Sequence, residues 1–221
     1  MPTYTWFPTT IYGEELNPSA KVKQDMVSYV DDFRDKNLAK FSYNPTLTGD
    51  SAGDYRLYKK DIFSWLNKEV SFHCKKYLSD IGIETDKIKL HATRAWPVVI
   101  RKGGYISRHN HPNAVLSVVY YLQSDGTGGN IKFHATNSPM IHFPCLVGNP
   151  TPLSGTNCYY GPDVNRILIF PSSLEHEVEI YSGESDRYSI SYDIIVTRKS
   201  TSSHEGIEYT ISDPSEWKDL R

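Results

Sequence analysis

The sequence predicts a mainly β domain carrying helices at its N-terminal end, with the strands wound as a jelly-roll barrel, that is, a double-stranded β-helix. Three observations predict it. Helical periodicity is confined to the part before residue 87, and from Ile88 the texture changes to short β-branched and aromatic runs. Clusters of Gly, Pro, Asn and Asp then break those runs at intervals suited to a sandwich or barrel. Two helices followed by about eight strands imply helices packed on one face of the barrel.

The elements follow in order. After a short extended start, Asn17-Pro18-Ser19 supplies a capping signal, and Val22, Met26, Val30 and Phe33 recur at helical spacing. A polar loop over 44–54 leads to a second amphipathic helix in which Ile62, Trp65, Leu66, Val70, His73 and Tyr77 share a face, ending near 80–82. Strands are expected at 90–96, 98–101, 105–111, 116–122, 130–134, 167–170, 175–181 and 187–196. The segment 135–165 holds Pro139, Pro144, Pro150, Pro152 and Pro162 with little periodicity, so it reads as a long loop, a feature usually functional or disordered in a compact domain. With His142, Phe143, Tyr159 and Tyr160 it is a candidate substrate-facing loop. A single domain over 1–221 is expected: an N-terminal segment 1–87 with two helices packing on the barrel, a jelly-roll core 88–198 and a tail 199–221.

Composition narrows the function classes. With 24 basic and 26 acidic side chains, a net charge of −2 leaves no basic excess to track a phosphate backbone, so general nucleic-acid binding is not expected. Cys74, Cys145 and Cys158 show no C-x-x-C pairing, which suggests neither a disulfide framework nor a zinc knuckle and fits a reducing, cytoplasmic setting. Residues 1–10 lack a basic stretch followed by an apolar run, and nothing approaches membrane-spanning length, so a soluble, unprocessed protein is expected.

Three local patterns carry chemistry. His109-Asn110-His111 places two imidazoles two residues apart, which on a strand would project to one side and could converge on an ion, although the pattern also describes two unrelated histidines. In the strand after Pro171, Leu174, His176, Val178 and Ile180 form the expected inward set, while Glu175, Glu177 and Glu179 suit water. An inward imidazole needs partners for its ring nitrogens, and a metal is one. Arg187, Ser189, Ser191 and Asp193 then alternate with Tyr188, Ile190, Tyr192 and Ile194, giving one polar face that opens with a guanidinium suited to a carboxylate.

Jointly, H-x-H, a distal His and R-x-S stand in the order and spacing of the 2-oxoglutarate and iron(II)-dependent oxygenases. The stretch HNHPNAVLSVVYYLQSDGTGGNIKF resembles the metal strand, Tyr-Leu strand and Gly-Gly turn of prolyl-hydroxylase-like members. FPTTIY, HxHP with LSxVYYL, and FPSxLxHxV before RxSIS look like an oxygenase family of bacteria and their viruses. The resemblance covers most of the chain apart from 135–165 and the tail. It implies iron ligation by His109 and His176, a 2-oxoglutarate carboxylate on Arg187 assisted by Ser189, and co-substrate contacts from Tyr121 and, more weakly, Ser117. It also implies Fe(II), 2-oxoglutarate and O2 as reactants, and a small-molecule or peptidyl substrate hydroxylated with release of succinate and CO2 in a bacterial or phage-infected cytoplasm. Oligomeric state stays open, a homodimer included.

One position departs from the family pattern, because His111 stands where Asp or Glu normally completes two histidines and one carboxylate. Three readings survive: a three-histidine site, which is favoured; two histidines with water or an anion; or a carboxylate supplied from elsewhere. Exchanging a carboxylate for a neutral imidazole leaves a ferrous site one unit more positive and should favour the 2-oxoglutarate dianion. Rival readings are a cupin-type metal enzyme, from Gly103, His109, His111 and the Pro171–His176 spacing, and a metal-free β-sandwich binding or virion protein. A three-histidine zinc hydrolase ranks last, since no general base is evident.

Overall fold

The computed structural model describes residues 8–41, 45–136, 151, 154–199 and 210–220. Helix α1 (Ala20–Lys36) starts where expected: the Ser19 side chain accepts the Val22 N–H at 3.3 Å, and Met26, Val30 and Phe33 form its buried stripe. Short helices α2 (Leu38–Phe41) and α3 (Gly49–Ala52) flank strand β2 (Thr46–Thr48). Helix α4 (Ser64–Asp80) buries Leu66, Val70, His73, Cys74, Tyr77 and Leu78. It stops where Gly82, at φ +90°, adopts a left-handed conformation open to glycine.

The remaining strands are β1 (Tyr12–Glu15), β3 (Ile88–Ile100), β4 (Ile106–His109), β5 (Leu116–Gln123), β6 (Ile131–His134), β7 (Asn157–Tyr160), β8 (Arg166–Pro171), β9 (His176–Val178) and β10 (Arg187–Arg198). They form two antiparallel sheets, ordered β1-β8-β5-β10-β3-β2 and β4-β9-β6-β7. The larger sheet has two buried faces. Val118, Tyr120 and Leu122 of β5, with Tyr188, Ile190, Tyr192 and Ile194 of β10, pack with the helices in one core cluster. Val119 and Tyr121 turn the other way and pack with Ile131, Phe133, Leu168, Phe170 and Leu174 between the sheets. Period-2 alternation therefore separates a helix-facing apolar layer from an interior that holds the polar set of β10. Each large apolar side chain so buried contributes about 1.5–3 kcal/mol of transfer free energy.

Four expectations change. The two strands anticipated on either side of Pro97 are one strand, β3. Ala95 and Arg101 donate outward, to the carbonyls of Tyr55 and Pro45, so Pro97 in the same alternation lies on that outward side. Strand β2 reaches only Val98, and no ladder donor is needed at Pro97. Second, β7 lies inside the stretch anticipated as loop and pairs with β6; residues 137–150 and 152–153, with His142 and Phe143, are outside the described residues. Third, Ile180 is 66% exposed and Tyr181 is buried in its stead. The alternation changes phase once β9 ends at Val178, where Glu179 donates to Asn130 and the Ile180 carbonyl receives Gly129. Fourth, β4 ends at His109, so His111 is not on a strand. The described part of the tail, residues 210–220, packs on the body: Ile211 bridges to Thr197, and Asp213 and Glu216 pair with Lys89 and Arg198. No described helix is long and apolar enough to cross a membrane.

Candidate functional site

Strand β9 runs antiparallel to β4, and His176 is the direct partner of His109 in that register. Their ring centroids are 4.3 Å apart. His111 arrives by a different route from the one strand alternation suggests. Its N–H donates to the Ser172 carbonyl and its own carbonyl receives Ala114, so a turn beyond β4 carries the ring to within 5.2 and 5.3 Å of the other two.

Each imidazole is turned the same way. His109 Nδ1 lies 2.8 Å from the Ser107 carbonyl, His176 Nδ1 2.9 Å from the Leu174 carbonyl, and His111 Nδ1 2.7 Å from Asp193 Oδ1. Carbonyls and carboxylates only accept, so each Nδ1 carries the proton and each Nε2 is left as a lone-pair donor. One ligand atom from each ring lies within 4.8 Å of the others, the one such group of His, Cys, Asp or Glu among the described residues. Burial, reinforced by the neighbouring His109, pushes the His176 imidazole down to about 3, and burial likewise lowers His109. Rings that bring one nitrogen each to a common point form a cation site.

The three rings line a cavity of about 400 Å³ between the sheets. Its floor is made by β5 and β10, adjacent in the large sheet, where Ser189 pairs with Tyr121 and Asp193 with Ser117. Arg187, Ser189, Tyr121 and Ser117 are all 2% exposed or less. Arg187 carries its guanidinium carbon 4.9 Å from the centre of the Tyr121 ring. Its Nε and Nη1, together with Tyr121 Oη and Ser117 Oγ, are buried without a hydrogen-bond partner. An unpaired buried guanidinium is costly, and an anion would remove the cost. Burial raises the Tyr121 phenol despite the adjacent guanidinium, so it stays a neutral donor. Gly129, at φ +63°, closes the β5–β6 turn over this corner: a Cβ there would lie 2.9 Å from the Tyr181 ring and 3.5 Å from Arg187 Cδ. Thr48, Asp50, Arg94 and Asn110, more exposed, form the rim, with Trp96 beneath them.

Sequence reasoning placed Asp193 on the correct face but assigned it no role. It is opposite Arg94 on β3 and Ser117 on β5. The continuing i+2 alternation after Arg187, Ser189 and Ser191 was its available signal; contact with His111, 82 positions away in sequence, had none.

Residues 94–193 match a family model described as "Putative 2OG-Fe(II) oxygenase". That span contains the three histidines, Arg187 and Asp193. No curated protein matches the sequence. Among solved structures, the chain is similar to a prolyl hydroxylase from Trichoplax adhaerens in complex with a hypoxia-inducible-factor peptide fragment, at 16% identity and TM-score 0.52 over 84% of this chain and 83% of that one. It is also similar to HygX from Streptomyces hygroscopicus with nickel and 2-oxoglutarate bound, at 12% identity and TM-score 0.52 over 85% and 82%. A 2OG-Fe(II) oxygenase family oxidoreductase from Burkholderia pseudomallei aligns at 18% identity and TM-score 0.41 over 54% of this chain, which spans about half (50%) of that protein's length. At these identities the Trichoplax and Streptomyces structures show a shared fold.

Proposed function

We propose that this chain, which carries a 2OG-Fe(II) oxygenase domain over residues 94–193, is a 2-oxoglutarate-dependent dioxygenase using His109, His111 and His176 as its iron ligands. Arg187 holds the distal carboxylate of 2-oxoglutarate, with Ser189, Tyr121 and Ser117 lining the same pocket. The observation that carries this reading is a fully buried arginine without an anionic partner in the cavity onto which three Nε2 atoms converge. A cupin-type enzyme has no use for that arginine, and a metal-free sandwich has none for three inward lone pairs.

Once bound, ferrous iron with 2-oxoglutarate and O2 supplies oxidative decarboxylation to succinate and CO2 coupled to hydroxylation of a substrate C–H bond. The chain's own residues bind and orient. The Arg187 guanidinium offers planar N–H donors suited to a carboxylate, and removal from water strengthens that pairing. Tyr121 and Ser117 offer hydroxyls that lack partners until a ligand arrives. Phe170, Phe133 and Trp96 pack around His176 and His111 and keep bulk water from the rings. A small-molecule or peptidyl substrate enters over the rim, with the segment 135–165 contributing to its recognition. Free Cys74 and Cys158 fit a reducing, cytoplasmic location.

Anaerobic reconstitution with ferrous iron and 2-oxoglutarate tests the reading. Wild type is expected to develop a metal-to-ligand charge-transfer band and, on oxygenation, to form succinate. Arg187→Ala should need about 100-fold more co-substrate, the loss of a charge-assisted bidentate pair. A wild-type protein with iron bound but no band at saturating 2-oxoglutarate would exclude the assignment. His111→Asp is expected to bind 2-oxoglutarate more weakly than wild type, because the added carboxylate lowers the positive charge facing the dianion.

A further inference from the structure

Asp193 is a buried carboxylate, its side chain 3% exposed, and its two oxygens have different partners. Oδ2 receives Arg94 Nε at 2.7 Å and Nη2 at 2.5 Å, while Oδ1 is left to His111 Nδ1 at 2.7 Å. An ordinary ion pair across a sheet would place both oxygens against the guanidinium fork. Here both donors meet one oxygen, and the other faces an imidazole.

His111 needs this help more than its companions do. His109 and His176 are held by adjacent strands and find Nδ1 acceptors in carbonyls two residues earlier in the chain. His111 sits in a turn outside the ladder, and its ring is located by side chains alone. Trp96 stacks on it at 5.8 Å and 22°, which sets the ring plane, and Arg94 covers Trp96 at 5.0 Å. Stacking leaves open which nitrogen faces the cavity; a hydrogen bond to an anion decides that.

We infer that Asp193, clamped by Arg94, is a positioning residue for His111: it fixes the Nδ1–H form, aims Nε2 into the cavity, and places behind the third imidazole the negative charge that a carboxylate ligand would bring directly. The inference rests on the metal site proposed above. An anionic acceptor on Nδ1–H makes Nε2 a stronger donor to a cation. Arg94 offsets this only in part, because its guanidinium meets Oδ2 while Oδ1 is the oxygen that faces the ring.

The test titrates cobalt(II), read by its d–d absorption, into three full-length proteins under argon: wild type, Asp193→Asn and Asp213→Asn. The last is a matched control, removing a buried carboxylate paired with Lys89 at 2.5 Å on the same β3 strand but outside the cavity lining. Asp193→Asn is expected to bind cobalt about 10–100-fold more weakly, the range for losing an outer partner of a metal-bound histidine. Asp213→Asn should bind as wild type does, although both variants lose thermal stability. Equal affinity in wild type and Asp193→Asn overturns the inference, and so does an equal loss in the two variants.

A measurement on unaltered protein covers a poorly folding variant. In zinc-loaded, 15N-histidine-labelled wild type, His111, assigned through the signal lost in His111→Gln, should show a protonated Nδ1; a protonated Nε2 overturns the inference. Wild type that takes up neither cobalt nor zinc would sink the proposed function together with this inference. Metal and 2-oxoglutarate binding that is unaltered in Asp193→Asn would sink the inference alone.

Discussion

Two groups of buried polar atoms on and beside β10 are treated in opposite ways. On the helix face the Tyr188 hydroxyl donates to Asp31 at 2.7 Å and receives Arg34, and the Tyr192 hydroxyl donates to Asn67 at 3.0 Å. Both tyrosines are essentially inaccessible, yet each polar tip is satisfied. On the cavity face, Arg187, with Tyr121 and Ser117 of β5, is equally buried, and all three hold polar atoms with no partner. The satisfied tyrosine tips against the helices report folding, whereas unsatisfied groups at the wall of a cavity report a ligand.

That contrast can be broken first at its structural side. Tyr192→Ala should cost about 3–5 kcal/mol of stability by leaving a cavity under the helices, together with an unpaired Asn67 Oδ1. Chemical denaturation of the metal-free protein measures it, and the fraction still folded should bind 2-oxoglutarate with wild-type affinity. At the cavity side, Arg187→Met should weaken 2-oxoglutarate by about 2–4 kcal/mol while leaving the ligand-free protein as stable as wild type or more so, since an uncompensated buried charge is removed. A large loss of stability would reassign Arg187 to the structural class.

Titration sharpens the same contrast. The folded state holds His176 near 3, below its ordinary value of 6.5, so the unfolded chain takes up its proton first. The contribution is therefore complete above pH 6.5 and is lost as pH falls toward 3, by about 1.4 kcal/mol per pH unit. His109, lowered by burial, acts in the same direction. Denaturation of metal-free protein between pH 7 and 4 should show this slope, and His176→Phe should flatten it. The smallest expected effect is at Tyr121: removing its unpartnered hydroxyl in Tyr121→Phe should leave stability unchanged within about 0.5 kcal/mol and weaken 2-oxoglutarate by about 1 kcal/mol, measured by titrating the charge-transfer band.

Local pattern made much of this molecule legible. The stripes of α1 and α4 and the alternation of β5 and β10 can be read from residue spacing, because each buried face imposes its own period on the chain. So can the face shared by Arg187, Ser189, Ser191 and Asp193. Other features were misread for definite reasons. Pro97 looked like a strand end because proline lacks a donor, and which side of β3 goes unpaired depends on where β2 stops. Ile180 looked inward because alternation was continued past Val178, whereas contacts from the 128–130 turn change its phase. Strand β7 is visible only through its pairing with β6.

By itself, then, the sequence determined which residue types share a face and where helices give way to strands, since these follow from nearest-neighbour geometry. Only the tertiary structure decided that the polar face of β10 looks into a cavity rather than water, that His111 enters it from a turn, and that Asp193 stands behind that ring with Arg94. Those facts depend on contacts between segments up to 99 positions apart, which no periodicity records.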